Sequence, residues 1–122
     1  MRIIGGKYKG LKLLPPDGFK IRPTSDRLKE SLFSIITSNK YNINIDNSKV
    51  LDICSGTGSL GIEAFSRGAF SVFFIDKDYR SINLINKNIA KLKIEDQFRD
   101  NIKIIKDEAT KALKDINSIF KI

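Results

Sequence analysis

Asp52, the glycines of Gly56-Thr57-Gly58-Ser59-Leu60-Gly61, and Asp76 are the residues of this sequence whose types and spacing could do chemistry. An apolar run, Val50-Leu51-Asp52-Ile53, carries the first acid, the glycine turn follows, and a helix-like pattern begins near Ser59. A glycine turn ahead of a helix lets a ligand approach backbone N–H groups closely. A phosphate-binding P-loop needs G-x-x-x-x-G-K-[ST], and no Lys follows the last glycine here. The pattern G-x-G-x-x-G does match, with Asp76 twenty residues past Gly56 at a strand end. That pattern suits nicotinamide dinucleotides and other ligands alike.

Asp52 helps to separate these ligands. A dinucleotide sets its pyrophosphate on the helix N-terminus, where a carboxylate at the preceding strand end repels it. A ligand with an ammonium and a sulfonium, and no phosphate, is instead attracted. S-adenosylmethionine is such a ligand, and Asp76 would accept hydrogen bonds from its ribose diol. The alternative at this point is that Asp52 caps the next helix and the glycines only make a turn. The sequence has no His and a single cysteine, Cys54, so the usual general base, an internal disulfide and a thiolate metal cluster are all excluded. Cys54 itself suits a small residue in a tight turn.

The elements that must position these residues can be read from periodicity. Residues 1–23 (RIIGG, KYKG, LKLLPP) have a hairpin-like pattern punctuated by Gly5, Gly6, Gly10, Pro15 and Pro16. A helix follows, capped by Thr24 or Ser25, with Leu28, Leu32, Ile35 and Ile36 predicted on its buried face. After the polar linker YNINIDNSK come a buried strand (50–53), a helix (roughly 58–67) closed by Gly68, and a strand (71–76). A helix capped by Asp78 follows, then a strand (102–106), a short helix in EATKALKDI, and SIFKI (118–122) as the start of a fourth strand. Alternating strands and helices predict an α/β fold with a parallel sheet, the Rossmann-like arrangement. The expected organisation is a basic hairpin and helix over 1–40 and a cofactor-binding half over 41–122.

Charge bears on partners. The net charge is +8 over 122 residues, and residues 1–30 hold eight basic side chains against three acids. A basic face favours a polyanion, most simply nucleic acid, the alternative being plain solubility. No apolar run approaches the ~20 residues of a membrane span, and the N-terminus lacks the apolar stretch of a signal peptide. No membrane, no metal and a cytoplasmic setting are the expectations.

VLDICSGTGSLGIEAFSRGA with FFIDKD resembles the Rossmann-like S-adenosylmethionine-dependent methyltransferases. RIIGGKYKGLKL and RPTSDRLKESLFSII resemble one family among them, the bacterial small-subunit rRNA guanine-N2 methyltransferases (the RsmD family). The resemblance covers essentially the whole chain. It implies that Asp52, Ser55, Gly56 and Gly58 line the methionine end of S-adenosyl-L-methionine, and that Asp76 with Lys77 holds the ribose. It places Asp107, Glu108 and Ala109 at the adenine. It sets Arg2, Lys7, Lys9, Arg22, Thr24, Ser25, Asp26 and Arg27 on the RNA side, with rRNA or an assembling small subunit as partner.

The family's catalytic Asp/Asn-Pro-Pro-Tyr/Phe motif does not occur in this sequence, whose prolines are Pro15, Pro16 and Pro23. No catalytic residue is therefore assigned within it. The chain is expected to be an inactive N-terminal portion that does not methylate RNA alone and is prone to self-association. A non-catalytic RNA-binding remnant and a nicotinamide-dependent oxidoreductase are the alternatives. RNA binding is expected to depend on Arg22 and Arg27 more than on Lys87 and Lys91, which lie on a helix far along the chain.

Overall fold

A computed structural model of the chain describes residues 1–16, 24–38 and 40–120, the last six of these by backbone alone. The elements run α1 (Asp26–Ile36), β1 (Lys49–Ile53), α2 (Ser59–Ser66), β2 (Ser71–Asp76), α3 (Tyr79–Ala90), a short 3-10 turn (Asp96–Asn101), β3 (Ile102–Lys106) and α4 (Ala109–Phe120). The three strands form one parallel sheet in the order β1-β2-β3. β2 is central, and its SVFFID run is buried on both faces, as a parallel strand flanked by helices requires.

Alternation along β2 divides the core. Val72 and Phe74 join Ile62 of α2 and Ile85 of α3 in the main cluster, while Phe73 and Ile75 face the opposite side, where Ala112 of α4 packs. Ile3, Leu13 and Phe33 belong to the main cluster too, so the N-terminal segment shares one core with the sheet. Within that segment the described residues pair at one antiparallel bridge, Arg2 to Lys12, with Ile3 N–H donating to the Leu11 carbonyl at 2.9 Å. The expected hairpin is thus present as one bridge closed by turns.

Four expectations are corrected. On α1 the buried side chains are Lys29 and Phe33, whereas Leu28, Leu32 and Ile35 stand exposed and only Ile36 turns partly inward. A charged residue wins the inward position because it finds a buried carboxylate there, described below. The run 50–53 is half-buried, not buried: β1 has no strand on its outer edge among the described residues, and Ile53 is exposed. The helix predicted in EATKALKDI is longer than expected. Finally, Ser118–Phe120 continue α4 and do not begin a fourth strand. Ala109, Ala112, Leu113, Ile116 and Phe120 keep the 3.6-residue helical period with no Gly or Pro to break it. Residues 121 and 122 lie outside the described residues.

Candidate functional site

The carboxyl ends of β1, β2 and β3 open on one edge of the sheet, where open parallel sheets bind ligands. β1 leaves the sheet at Ile53, and Cys54 adopts a left-handed conformation at φ +58° that few non-glycine residues take. Ser55 then staples the loop to the neighbouring strand. Its N–H donates to the Ile75 carbonyl, its hydroxyl accepts from Ile75 N–H, both at 3.0 Å, and that hydroxyl donates to the Asp52 carbonyl. Gly58 caps α2 at φ +80°, a conformation suited to glycine.

Asp76 holds the same loop from β2. Its Oδ2 accepts from Gly56 N–H at 3.0 Å and its Oδ1 from Asp78 N–H at 2.9 Å. Each oxygen has capacity for a further hydrogen bond and Asp76 lines a groove, so the carboxylate can also accept from a bound diol. Asp78 caps α3, accepting from Arg80 N–H and pairing with the Arg80 guanidinium at 2.8 Å; that hydrogen bond holds its carboxyl down at about 2.

Asp52 sits behind the loop. It is 9% exposed, and its Oδ2 accepts from the Gly61 N–H in the first turn of α2 at 3.0 Å. Burial raises its carboxyl to about 6; the Gly61 hydrogen bond opposes the rise and the Asp76 charge adds to it. The capping contact considered for Asp52 is therefore present, together with a charge buried beside the glycine turn.

A groove of about 400 Å³ runs along these strand ends, lined by Cys54, Asp76, Lys77, Asp107, Glu108 and Ala109 among others. Its volume is within the ~300–1,000 Å³ range of small-molecule sites. It adjoins a more open groove of about 660 Å³ that shares Lys77, Asp107 and Glu108 and extends to Tyr79, Arg80 and Lys106. Asp107 Oδ1 accepts from Glu108 N–H at 2.8 Å, just ahead of α4. Thus Asp76, Lys77, Asp107, Glu108 and Ala109 come together in one groove, Gly56 reaches it through Asp76, and Asp52, Ser55 and Gly58 shape the loop from behind. The donor set, carboxylates with one lysine and a glycine turn, fits a cationic adenosyl ligand.

Among the described residues, those expected on the RNA side do not form one cluster. Lys7 and Lys9 are exposed on the turn of the bridge, and Arg27 is exposed on α1. Arg2 and Asp26 instead bond each other: Arg2 N–H donates to Asp26 Oδ1 at 3.2 Å. Ser25 caps α1 by accepting from Leu28 N–H at 3.1 Å, and Thr24 is half-buried beside it. Arg22 lies outside the described residues. Lys87, expected on a remote helix, lines a groove with Leu14, Pro15 and Pro16 of the N-terminal segment.

Two polar clusters escape sequence reasoning. Glu63, fully buried in α2, accepts from Ile4 and Gly5 N–H at 2.9 Å each and from Arg67 Nε at 2.8 Å, with Lys29 Nζ 3.3 Å away. Burial alone would push this carboxyl up, but the hydrogen bonds from Ile4, Arg67 and Gly5 and the Lys29 charge hold it below its ordinary value. Asn88, fully buried in α3, holds Leu14 through both its N–H and its carbonyl and donates to the Thr57 carbonyl of the glycine turn at 3.2 Å. The only signal for either is a polar residue standing on a helix face that is otherwise apolar.

Comparison with known proteins shows the family and the fold. The family described as Conserved hypothetical protein 95 matches residues 1–120. The ribosomal RNA small subunit methyltransferase D of Buchnera aphidicola subsp. Baizongia pistaciae is 34% identical over 122 residues, which are 100% of this chain and 58% of the relative. That of Escherichia coli K12 is 40% identical over 93 residues, 76% of this chain and 44% of the relative. The chain spans about half the length of the curated relatives it matches. Among solved structures, the C-terminal domain of precorrin-6Y C5,15-methyltransferase from Rhodobacter capsulatus superposes with a TM-score of 0.62 at 20% identity, covering 81% of this chain and 46% of that one, a likeness of fold.

Proposed function

Because this chain belongs to the Conserved hypothetical protein 95 (RsmD) family, we propose that it supplies the cofactor-binding half of an S-adenosylmethionine-dependent methyltransferase acting on the N2 amine of a guanine in small-subunit rRNA. The observation that carries the cofactor reading is the convergence of Asp76, Asp107 and Glu108 on one groove beside a glycine turn held by Asp76 itself. When bound, the cofactor would supply an electrophilic methyl group on a sulfonium.

The chain's own residues act by positioning and charge. Asp76 accepts from the ribose hydroxyls while it keeps the turn closed through Gly56. Asp107 and Glu108 bound the adenine end, and Lys77 covers the groove between them. The ionised Asp52 lends negative potential beneath the turn, toward the ammonium and sulfonium. An acid and two prolines that would orient a guanine amine are not among residues 1–122, so no step at the acceptor is assigned to these side chains. The RNA side of the proposal rests on the named relatives and on the +8 charge. The residues proposed to face RNA are Lys7, Lys9, Arg22 and Arg27, with Arg2, Thr24, Ser25 and Asp26 shaping the start of α1.

Calorimetric titration tests the cofactor assignment without needing turnover. S-adenosylhomocysteine should bind more tightly than NAD, and Asp76→Ala should lose most of that affinity. Tighter NAD binding, or an Asp76→Ala variant that keeps its S-adenosylhomocysteine affinity, refutes the assignment.

A further inference from the structure

The face of α3 that carries Arg80, Asn83 and Lys87 forms, with Pro15 and Pro16, a groove of about 530 Å³ that no candidate role above has used. We propose that this groove seats a single-stranded RNA segment and leads it toward the candidate cofactor groove. The proposal rests on the RNA-modifying reading for the identity of the polyanion, and on geometry for the site.

Spacing of three and four residues puts Arg80, Asn83 and Lys87 on one side of the helix. Among the described residues the groove lining holds no carboxylate. Lys87 is exposed and is in no ion pair among the described residues, so its ammonium is available to a phosphate. Arg80 is paired with Asp78 and serves as the corner of the groove. Asn83, also exposed, offers a donor and an acceptor to a base edge. The rings of Pro15 and Pro16 have no N–H to satisfy and present apolar faces on which a base can lie. A nucleotide uses these three things together, its phosphate at Lys87, its base edge at Asn83 and its base face on the prolines.

Two features make the groove a pre-formed track. Its proline wall follows Leu14, whose N–H and carbonyl are both held by the buried Asn88 side chain at 2.7 and 3.3 Å. Rigid walls lower the ordering cost of binding. Arg80 also lines the groove of Lys77, Asp78, Tyr79 and Lys106, in which it neutralises Asp78, and that groove shares Lys77, Asp107 and Glu108 with the cofactor candidate. A strand passing Lys87 and Arg80 is thereby led to the strand ends.

Fluorescence anisotropy with a short labelled single-stranded RNA, across a salt series, tests this. Lys87→Glu should weaken binding about tenfold and lower the slope of log affinity against log salt by about 0.7, the value for one lost phosphate contact. Lys114→Glu, the same charge change on the exposed side of α4, should change affinity less than twofold. Equal effects of the two variants, or displacement of the RNA by an acidic peptide at comparable concentration, overturn the groove. Absence of any salt-dependent RNA binding by the unmodified chain overturns it as well. S-adenosylhomocysteine titration of Lys87→Glu separates the two readings: retained affinity with lost RNA binding supports the groove, whereas failure of the unmodified chain to bind S-adenosylhomocysteine sinks the cofactor assignment while leaving the RNA comparison to stand or fall by itself.

Discussion

Lys29 on α1 and Glu63 on α2 are both fully buried and face each other at 3.3 Å, joining the N-terminal helix to the helix that follows the glycine turn. The pair is completed from three sides: Lys29 Nζ donates to the Arg2 carbonyl at 2.6 Å, and Glu63 takes Ile4 N–H, Gly5 N–H and the Arg67 guanidinium. A buried charge is tolerated only when it is matched in this way.

The two partners are unequal, and this sets the first prediction. Glu63→Ala leaves the buried Lys29 ammonium without its counter-charge and the Ile4 and Gly5 N–H groups without acceptors, and should cost about 3–5 kcal/mol. Lys29→Met leaves Glu63 with Arg67 and both backbone donors, and should cost less, about 1–3 kcal/mol. Urea denaturation of the two variants measures the gap. Equal losses would mean that Lys29 alone organises the cluster.

Gly61 is set by close approach. A Cβ there would lie 2.4 and 2.8 Å from ring carbons of Phe74 and 3.0 Å from Asp52 Oδ2. Gly61→Ala should therefore destabilise by at least about 1–3 kcal/mol, since the ring must shift within a packed core. Adding Phe74→Leu should recover part of that loss, and a double variant no more stable than Gly61→Ala alone would place the clash elsewhere.

These residues show what the sequence does and does not reveal. β2 and β3 are read from it to the residue, because short apolar runs bounded by Gly, Asp and Asn leave no competing register. The caps Ser25 and Asp78 are legible for the same local reason. Of the candidate groove, Asp76 is legible as an acid at a strand end twenty residues past Gly56, whereas Asp107 and Glu108 are reached only through the family resemblance. The face of α1 is not legible, since Lys29 turns inward only because Glu63, 34 positions away, is there to meet it. Nor is Lys87: distance along the chain made α3 look remote from the N-terminal segment, and Asn88 brings the two together. The fourth strand expected at SIFKI was a choice between two periods in a short apolar run, and the helix already under way prevails.

Asn88 predicts a coupled effect. Its side chain serves Leu14 and Thr57 at once, so Asn88→Ala leaves part-buried backbone groups of the N-terminal segment and the buried Thr57 carbonyl of the glycine turn without this partner. A loss of about 1–3 kcal/mol of stability is expected. S-adenosylhomocysteine affinity should fall too, because the turn loses an anchor. Calorimetry on the folded variant checks this, and unchanged affinity would show that the turn holds its shape without Asn88.

Asp52 predicts a dependence on pH with a definite sign. Its folded carboxyl is raised from 3.8 to about 6, chiefly by burial. Between those values the folded chain therefore holds more protons than the unfolded chain, and its stability falls as pH rises through the interval. A shift of about two units corresponds to roughly 3 kcal/mol, reached once the folded carboxyl has ionised. Asp52→Asn keeps the size and an acceptor for Gly61 N–H but carries no charge. Relative to the unmodified chain, the variant should be close in stability near pH ~4 and more stable by roughly 2–3 kcal/mol near pH ~8, as read from urea denaturation at each pH. The ligand side runs the opposite way. An ionised Asp52 attracts the α-ammonium of the ligand, so S-adenosylhomocysteine should bind the unmodified chain more tightly at pH ~7.5 than at pH ~5, while the Asn variant shows little change over that range. A stability gap that stays constant with pH would mean that Asp52 titrates where an exposed carboxylate does. A ligand affinity with the same pH profile in both chains would remove Asp52 from the recognition of the ammonium.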